Sequence, residues 1–412
     1  MTKLRAFLTL ANLALVTLLA TGVFLYAKGY RLREEGFKLT PSGLLVVKSE
    51  PDGAQIFING ELETATNANI TIAPGTYDVS IRRDRFLPWN KRLTIDKEEV
   101  TQVDAFLFPA APSLTALTFN GVGKAVATPE LTRVAYEVPL TQNTFNSEEA
   151  KKAGLWVIEL VNFPLGFSNE PRRVTDTNLE NASWIWSPDG RELLLNTASG
   201  VFLLDTGKFT SQDKLVNVTS RRENILLEWQ DEKNQKLSAQ LKKLPDELQS
   251  ILERKAASII FAPDETKVLY TASGDETIPD ELTPSLPGAS TQKQERDIKG
   301  GRTYIYDIKE DRNFLISESP VKLDVVNYLS DKNSQSQADS PLRWFPTSSH
   351  LVLAEKDKVT IMDYDGTNRQ QIYSGSYVLP HAYPFVNRAR MLLLTNLGAE
   401  STPTNLYSLS LK

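Results

Sequence analysis

Cysteine is absent from the 412 residues, and histidine occurs only at His350 and His381. Without thiols the chain forms neither a disulfide framework nor a cysteine-based zinc site. Also missing are a Gly-x-Ser-x-Gly nucleophile turn, a His-Glu-x-x-His helix, a phosphate-binding loop and a dinucleotide-binding glycine pattern. These absences predict a protein that is not an enzyme and uses no cofactor. They also indicate that each histidine is a surface residue or a hydrogen-bonded core residue.

An excess of basic residues is lacking as well. The 46 Lys and Arg are outnumbered by 51 Asp and Glu, and the net charge is -5. Nucleic-acid surfaces depend on clustered Lys and Arg, so we expect no nucleic-acid partner. The hydrophobic content of 41% is sufficient for real cores, and the length suggests two or three folded units.

A long uncharged run lies near the N-terminus, from Ala6 to Ala27. Because about 20 apolar residues span a bilayer core, this run predicts a transmembrane helix after a short tail of residues 1–5. Two alternatives remain open. The run could be a cleaved signal peptide ending near residues 20–22, although Val23 to Tyr26 continue the apolar pattern, or it could be a buried helix of a soluble protein.

The charges around this run leave its orientation open. Two basic residues precede it, and four follow it: Lys28, Arg31, Arg33 and Lys38. The positive-inside rule would keep the C-terminal part in the cytoplasm, but large domains can cross a membrane largely regardless of charge. Residues 28–40 then form a juxtamembrane linker.

Residues 41–109 show short alternating strands separated by tight turns. Asn59-Gly60 predicts a type I′ hairpin turn and Pro74-Gly75 a type II turn, because these turns need residues that tolerate positive φ. Tyr77, Val79 and Ile81 alternate with polar residues, which is typical of a half-buried strand. The segment is predicted to be a small β-sandwich.

The order of motifs in this segment resembles the PEGA domain. Ser49-Glu50-Pro51-Asp52-Gly53-Ala54 is followed by a strand, by Asn59-Gly60 and by Ala73-Pro74-Gly75-Thr76-Tyr77. Asp52 replaces the family's glutamate, and Arg85-Phe86 stands where the family tends to have a glycine and an aromatic residue. The resemblance implies a spacer or binding module of a membrane-attached or exported protein. It therefore favours an extracytoplasmic position for the C-terminal part.

An irregular repeat fills residues 110–412. Four copies have a proline, at Pro129, Pro188, Pro263 and Pro346, and a fifth copy is aligned with Asn387 in its place. Five residues after this position a strand is predicted to begin, at Val134, Leu193, Val268, Leu351 and Leu392. Two residues before it four copies have an aromatic residue: Trp186, Phe261, Trp344 and Phe385.

A second strand follows in each copy and carries a polar residue at an equivalent place: Glu159, Asp205, Asp307, Asp363 and Ser408. Such a unit cannot bury its own face, and radial stacking of the units produces a propeller. Residues 187–191 and 363–369 resemble the blades of TolB-type and WD-repeat-like propellers. We expect about five to six blades, with the C-terminal strand pairing with a strand near residues 114–119 and removing an exposed sheet edge.

Insertions separate some of the copies. Residues 241–257 have helical spacing and predict a helix on the rim or a divergent sixth blade. Residues 277–301 and 330–340 are polar and aperiodic, and we interpret them as mobile loops.

Several residue groups could be mistaken for chemical sites. Asp363 to Asn368 lacks the closing glutamate of a calcium loop, since Ser374 stands at position twelve, so a blade turn is predicted. Asp189-Gly190 and Asp264-Glu265 have the composition of turns. The recurring carboxylates indicate a structural role. The aromatic groups Trp184 with Trp186, and residues 86–89, could stack a sugar or a peptide but fit packing better.

The sequence therefore predicts an all-β protein with an N-terminal transmembrane helix, a PEGA-like sandwich and a propeller. The expected function is binding or scaffolding in the cell envelope, from a single-pass position in the cytoplasmic membrane. A protein or an envelope polymer would bind at the propeller face. No catalytic, cofactor or metal residue is assigned, and the ligand and oligomeric state stay open. The alternatives are a cytoplasm-facing tethered propeller, and a glycoside-active propeller enzyme with two carboxylates at a set distance.

Overall fold

The computed structural model describes residues 2–27, 31–32, 39–140, 152–161, 170–284, 290–321, 323, 325–329, 342–399 and 401–412. The chain divides into two compact units. Unit 1 comprises Met1–Leu107 with Ser285–Lys293, and unit 2 comprises Phe108–Pro284 with Gln294–Lys412. The predicted loop over residues 330–340 lies outside the described residues.

Unit 1 begins with helix α1, Thr2–Ala27. Its segment Phe7–Phe24 is long and apolar enough to cross a membrane, and none of this segment is buried in the protein. The same properties fit a signal sequence, whereas the absence of burial argues against a buried helix of a soluble protein. The predicted N-terminal tail is not separate, because Thr2 to Arg5 already belong to the helix.

The rest of unit 1 is a two-layer β-sandwich. A small pair of strands precedes it, β1 (Arg31–Leu32) and β2 (Leu39–Thr40). The sandwich strands are β3 (Gly43–Glu50), β4 (Gln55–Ile58), β5 (Glu61–Ala65), β6 (Ala68–Ile72), β7 (Gly75–Arg82), β8 (Trp89–Ile95) and β9 (Val100–Phe106). One sheet has the order β6-β3-β9 and the other β5-β4-β7-β8. Leu45, Ile56, Ile81, Trp89 and Val103 pack in the core between them, which confirms the predicted sandwich.

The first and last strands of the sandwich run in the same direction. β3 and β9 are parallel neighbours, with Leu44 opposite Val100 and Glu50 opposite Phe106. The chain therefore enters the sandwich at one end and leaves it at the other.

The two predicted turns of the sandwich have different outcomes. Asn59 and Gly60 have φ values of 50° and 88°, which confirms the type I′ turn between β4 and β5. The type II prediction at Pro74-Gly75 is wrong, because Gly75 has φ 158° where this turn needs about 80°. Gly75 already belongs to β7 and pairs with Ile95, so ladder pairing determines its conformation.

Unit 2 contains five antiparallel sheets of three or four strands in its described part, and we number these as blades in chain order. Blade 1 comprises β11 (Ala125–Ala127), β12 (Arg133–Val138), β13 (Gly154–Glu159) and β14 (Arg172–Thr175). Blade 2 comprises β15 (Ser183–Trp186), β16 (Glu192–Thr197) and β17 (Gly200–Asp205). Blade 3 comprises β18 (Ala256–Phe261), β19 (Lys267–Ala272), β22 (Thr303–Asp307) and β23 (Arg312–Ser317).

Blade 4 comprises β24 (Leu342–Trp344), β25 (His350–Glu355), β26 (Lys358–Asp363) and β27 (Gln370–Ser374). Blade 5 comprises β28 (Ala382–Pro384), β29 (Arg390–Thr395) and β30 (Asn405–Ser410), together with β10 (Leu114–Ala116) from the start of the unit. The last strand therefore pairs with the first strand of the unit, with Leu114 opposite Leu409, as predicted.

Neighbouring blades pack through alternate faces of each strand. Val134 and Tyr136 of blade 1 pack toward blade 5, whereas Ala135 between them packs toward blade 2. This alternation is the period-two pattern of a strand that is buried on both faces. The repeated tryptophans link adjacent blades: Trp186 Nε1 donates to the carbonyl oxygen of Val126 at 2.9 Å, and Trp344 Nε1 to that of Ile260 at 3.3 Å.

Two helices lie between blades 2 and 3, α2 (Arg222–Leu241) and α3 (Asp246–Lys255). Ile225 and Trp229 of α2 pack on blade 2, and Leu248 and Leu252 of α3 pack on blade 3. The helix predicted over residues 241–257 is thus confirmed as α3, and the two helices pack on the blades that precede and follow them in the chain. The sequence reading missed α2, because polar residues occupy most of its length.

The five blades share one turn between their first two strands. In each turn a backbone N–H donates to the carbonyl oxygen five residues later, in the pairs Thr128–Arg133, Ser187–Glu192, Ala262–Lys267, Phe345–His350 and Phe385–Arg390. A residue with φ between 54° and 67° completes each turn: Leu131, Gly190, Glu265, Ser348 and Arg388. The second strands begin one residue before the predicted position in four blades and two residues before it in the fifth.

This turn corrects the alignment of the fifth copy. Val386, and not Asn387, occupies the proline position, so Phe385 is equivalent to Phe345 rather than to Trp344. Asn387 is instead equivalent to Asp189, since the side-chain oxygen of each accepts the N–H two residues later. The prediction was wrong by one residue because it aligned Phe385 with the repeated aromatic position.

The structure also corrects the residue of the fifth blade that was assigned to the recurring polar position, Ser408. Asp363 lies opposite His350 in the ladder, and the corresponding partner of Arg390 is Ser410. Ser408 lies opposite Leu392 and is therefore not the equivalent residue. The assigned residue is therefore two residues before the equivalent one.

The predicted mobile loop over residues 277–301 is structured at both ends. β20 (Glu276–Thr277) pairs with β21 (Asp297–Ile298), and Ile278 and Ile298 are buried beside α3 and blade 3. Two apolar side chains in a mainly polar segment were too few to reveal this hairpin.

Trp184 and Trp186 provide a matched test of the contact between blades 1 and 2. Both are buried on β15, but Trp184 Nε1 has no hydrogen-bond partner in the described part of the chain. We expect Trp186→Phe to lower the free energy of unfolding by about 1 kcal/mol more than Trp184→Phe, because only Trp186→Phe removes a buried hydrogen bond. Urea unfolding of both variants in detergent checks this, and equal losses would contradict it.

Candidate interaction surface

Both histidines lie in hydrogen-bonded, largely buried positions. His350 Nδ1 is 2.7 Å from Thr347 Oγ1 and Nε2 is 3.6 Å from Asp363 Oδ1, with the rings of Phe108 and Phe345 packed at its edges. His381 Nδ1 is 2.7 Å from the Tyr383 hydroxyl. The prediction of satisfied core histidines is confirmed for His350, which is buried, and His381 is half-buried.

The segment Asp363–Asn368 is a blade turn, as predicted. Asp365 Oδ1 accepts the Thr367 N–H at 3.1 Å and the Thr367 hydroxyl at 2.6 Å. The Gly366 N–H donates to the Asp363 carbonyl oxygen at 2.9 Å. The carboxylate thus serves the turn itself, and no group of three potential metal-ligating side chains occurs among the described residues.

The repeated carboxylates face cations across the ladder. Glu159 lies opposite Arg133, with Arg133 Nε 2.9 Å from Glu159 Oε2. Asp307 lies opposite Lys267, with Nζ 3.2 Å from Oδ2. Asp205 differs because it is exposed and accepts the Gly207 N–H within its own turn. These interactions support the predicted structural role.

The buried pair of Lys267 and Asp307 is enclosed by aromatic residues. Lys267 Nζ lies 4.6 Å from the centre of the Tyr364 ring. The Tyr364 hydroxyl donates to Glu310 Oε2 at 3.2 Å, and burial raises the pKa of Tyr364 well above its usual value. The phenol therefore stays protonated and holds blades 3 and 4 together.

The segment around residues 323–328 covers inner strand edges of unit 2. Leu323 forms a parallel bridge with Leu342 of β24. The Tyr328 hydroxyl donates to the Trp186 carbonyl oxygen of β15 at 3.1 Å, and its ring packs edge-on against Trp229. Leu323 thus contacts the first strand of blade 4, and Tyr328 contacts the first strand of blade 2.

Exposed apolar side chains gather at one end of blades 4, 5 and 1. They lie on four connections, β27–β28, β29–β30, β10–β11 and β12–β13, and we call them the apolar rim: Val378, Leu379, Leu397, Phe119 and Leu140. Phe119 is 78% exposed and Leu397 is 53% exposed. Single exposed apolar residues are ordinary, but a group on adjacent loops is typical of an interaction surface.

Hydrogen bonds hold the connections of the apolar rim beside one another. The Val122 N–H donates to the Thr404 carbonyl oxygen at 2.7 Å, and the Gly121 N–H to Asn405 Oδ1 at 3.2 Å. Gly121 has φ 80°, and a Cβ there would lie 3.2 Å from Pro403, so glycine permits the close approach. The rim is thus displayed on a fixed scaffold.

A charged pair borders the rim, and it consists of half-buried Glu137 and exposed Lys124. Burial raises the pKa of Glu137, and interactions with Lys124 oppose this shift. Lys124 Nζ also donates to the Ala182 carbonyl oxygen at 2.6 Å. An apolar centre with a polar border is the usual anatomy of a protein–protein interface.

Sequence reasoning missed the apolar rim. It assigned Phe119 to the strand near residues 114–119, but β10 ends at Ala116, so Phe119 falls in a loop. The other aromatic candidates are packing residues: Trp184, Trp186 and Trp89 are buried, and Phe86 packs against the sandwich core. An apolar residue in a turn, such as Leu397 before Gly398, was the available signal.

Comparison with known proteins identifies the first unit more closely than the second. Residues 42–110 match the family model of the PEGA domain. No curated protein matches the chain in sequence.

Among solved structures, the chain resembles the Swd1 β-propeller domain of Myceliophteria thermophila, with 11% identity, TM-score 0.26, and coverage of 73% of this chain and 100% of that chain. It also resembles TolB from Acinetobacter baumannii, with 10% identity, TM-score 0.18, and coverage of 81% and 63%. A third similar structure is an oligogalacturonate lyase in complex with manganese, with 11% identity, TM-score 0.22, and coverage of 84% and 81%.

The carboxylates can be tested for a structural role with a matched pair of variants. The Asp307 side chain is 3% exposed and that of Asp205 is 52% exposed. We expect Asp307→Asn to destabilise unit 2 by about 3 kcal/mol, because it leaves Lys267 buried without its ion partner. Asp205→Asn should cost about 0–1 kcal/mol, as for exposed pairs. Thermal and urea unfolding measure both, and similar costs would overturn this interpretation.

Proposed function

We propose that this chain is a single-pass membrane protein of the cell envelope that carries a β-propeller on a PEGA-type stalk and binds a protein partner. Helix α1 would be the anchor, and the apolar rim would be the binding surface. The observation that carries the proposal is the rim itself, because rigid loops exposing Phe119 and Leu397 next to a polar border fit a docking surface.

The sandwich fits a spacer. Its parallel strands β3 and β9 give the chain an entry and an exit at opposite ends. At about 3.3 Å per residue, the eight residues of β3 correspond to roughly 26 Å between these ends. Such a module increases the distance between a membrane anchor and the part of the chain that follows the module.

A binding function is favoured over an enzymatic one. Glycoside-cleaving sites need two carboxylates at a set separation with freedom to exchange protons. Here Glu159 and Asp307 face cations across their ladders. These features support recognition at the rim.

The absence of cysteine makes the topology directly testable. A cysteine at exposed Ala198 and a control cysteine at Thr2 each become the only thiol of the chain. In intact cells we expect a membrane-impermeant maleimide to label Ala198→Cys, whereas Thr2→Cys should react only after lysis. The opposite pattern would place unit 2 in the cytoplasm and favour the tethered cytoplasmic alternative.

Partner binding can be tested by photocrosslinking in cells. A photoreactive phenylalanine analogue at Leu397 should form a discrete protein adduct, and Phe119→Ser should reduce that adduct at least several-fold because it removes a large apolar contact. The matched control places the analogue at Val386, which is 42% exposed in a turn at the opposite end of the blades. Equal adducts at both positions, or lipid adducts alone at Leu397, would contradict the proposal.

A further inference from the structure

A basic feature lies on the sandwich, at the last residue of β7 and in the connection to β8. We call residues 82–88 the arginine loop, because it contains Arg82, Arg83 and Arg85. Gly43, where the chain enters the sandwich, lies beside Ile95 and Asp96 at the other end of β8. The arginine loop is therefore at the end of the sandwich opposite the chain entry.

Neighbouring groups hold two of these arginines in place. The Arg82 guanidinium lies 4.6 Å from the centre of the Phe57 ring, and its Nε donates to Ser80 Oγ at 2.8 Å. Arg83 donates from Nη1 to the Asp52 carbonyl oxygen and lies 5.8 Å from the centre of the Phe86 ring. Each guanidinium has five N–H donors, so most donors of both side chains remain for a ligand.

The third arginine and its surroundings are open to solvent. The Arg85 side chain is 91% exposed, and its only ion contact among the described residues is exposed Asp84 at 3.8 Å. An exposed pair of this kind is weak and is displaced easily. Phe86 and Leu87 are half-buried beside it and offer apolar contact.

The arginine loop and the turn at the entry end carry opposite local charges. The arginine loop has three arginines and one aspartate, which gives a local charge of +2 in a chain of net charge -5. The turn at the entry end, residues 96–99, has one lysine and three acidic residues, which gives -2. Glu50 and Asp52 lie at the same end as the arginine loop, so the positive charge that would attract an anion belongs to the loop itself.

We propose that the arginine loop binds a linear anionic polymer that carries phosphate groups along its chain. Planar guanidinium groups bind phosphate oxygens through paired hydrogen bonds, and several arginines on one loop suit a repeating anion. The choice of a polymer over lipid headgroups rests on the proposed anchoring by α1. If α1 is the anchor, the acidic entry end of the sandwich faces the membrane. The arginine loop is then at the opposite end of the sandwich, away from the lipid headgroups.

The test uses the full chain in nanodiscs of zwitterionic lipid and fluorescent poly(glycerol phosphate) as the probe. We expect Arg83→Gln/Arg85→Gln to weaken binding on the order of tenfold or more, since each basic side chain near an anionic surface contributes about fivefold. The control Lys208→Gln/Lys214→Gln removes the same charge from exposed positions of unit 2 and should change affinity less than about twofold. Both variants should keep the unfolding temperature of the parent.

Three results would overturn the inference: no binding of the probe, equal weakening by both double variants, or occupation of the loop by lipid. The last is measured with a fluorophore on Asp84→Cys in nanodiscs that contain anionic spin-labelled lipid, where strong quenching that needs Arg83 and Arg85 would identify lipid as the occupant. A chain that does not enter nanodiscs refutes the proposed anchor instead. Probe binding in detergent still reports on the loop in that case.

Discussion

The pairing of β30 between β10 and β29 is the constraint on which unit 2 depends. Leu114 and Met391 both lie opposite Leu409, so one strand joins the start of the unit to its last blade. Both edges of β30 are thereby paired, and no aggregation-prone edge is left on that strand. Beyond β10, the Leu406 N–H donates to Thr118 Oγ1 at 2.9 Å and the Leu117 N–H to the Leu406 carbonyl oxygen at 2.8 Å. Strand β30 therefore also supports the loop that presents Phe119.

Local sequence signals predicted the structure correctly where a backbone geometry requires a particular residue type. Asn59-Gly60 predicted its turn because both positions need positive φ, and the strand alternation predicted the sandwich. The repeat was recognisable because the same turn recurs, although Leu131, Glu265, Ser348 and Arg388 adopt its left-handed position without glycine. That tolerance is why turn composition alone could not align the fifth copy.

Non-local effects explain what was missed. Gly75 is extended because it pairs with Ile95, a partner twenty residues away that turn statistics do not consider. Helix α2 has few apolar residues, and its stability comes from Ile225 and Trp229 packing on blade 2, so periodicity gave little indication of it. The apolar rim depends on four loops that meet only after folding. Each of its residues alone is an ordinary exposed apolar side chain, and only their proximity indicates a function.

The parallel pairing of β3 with β9 has a mechanical consequence. If the membrane holds the chain at the entry end while a bound partner pulls from the exit end, the force acts along both strands in opposite directions. All seven residue pairs from Leu44–Val100 to Glu50–Phe106 are then loaded in shear at the same time, rather than separated one after another. Forced unfolding is governed by the unfolding rate, and rupture of the whole ladder at once is slow. Under such a load, the parallel ladder would resist unfolding of the sandwich.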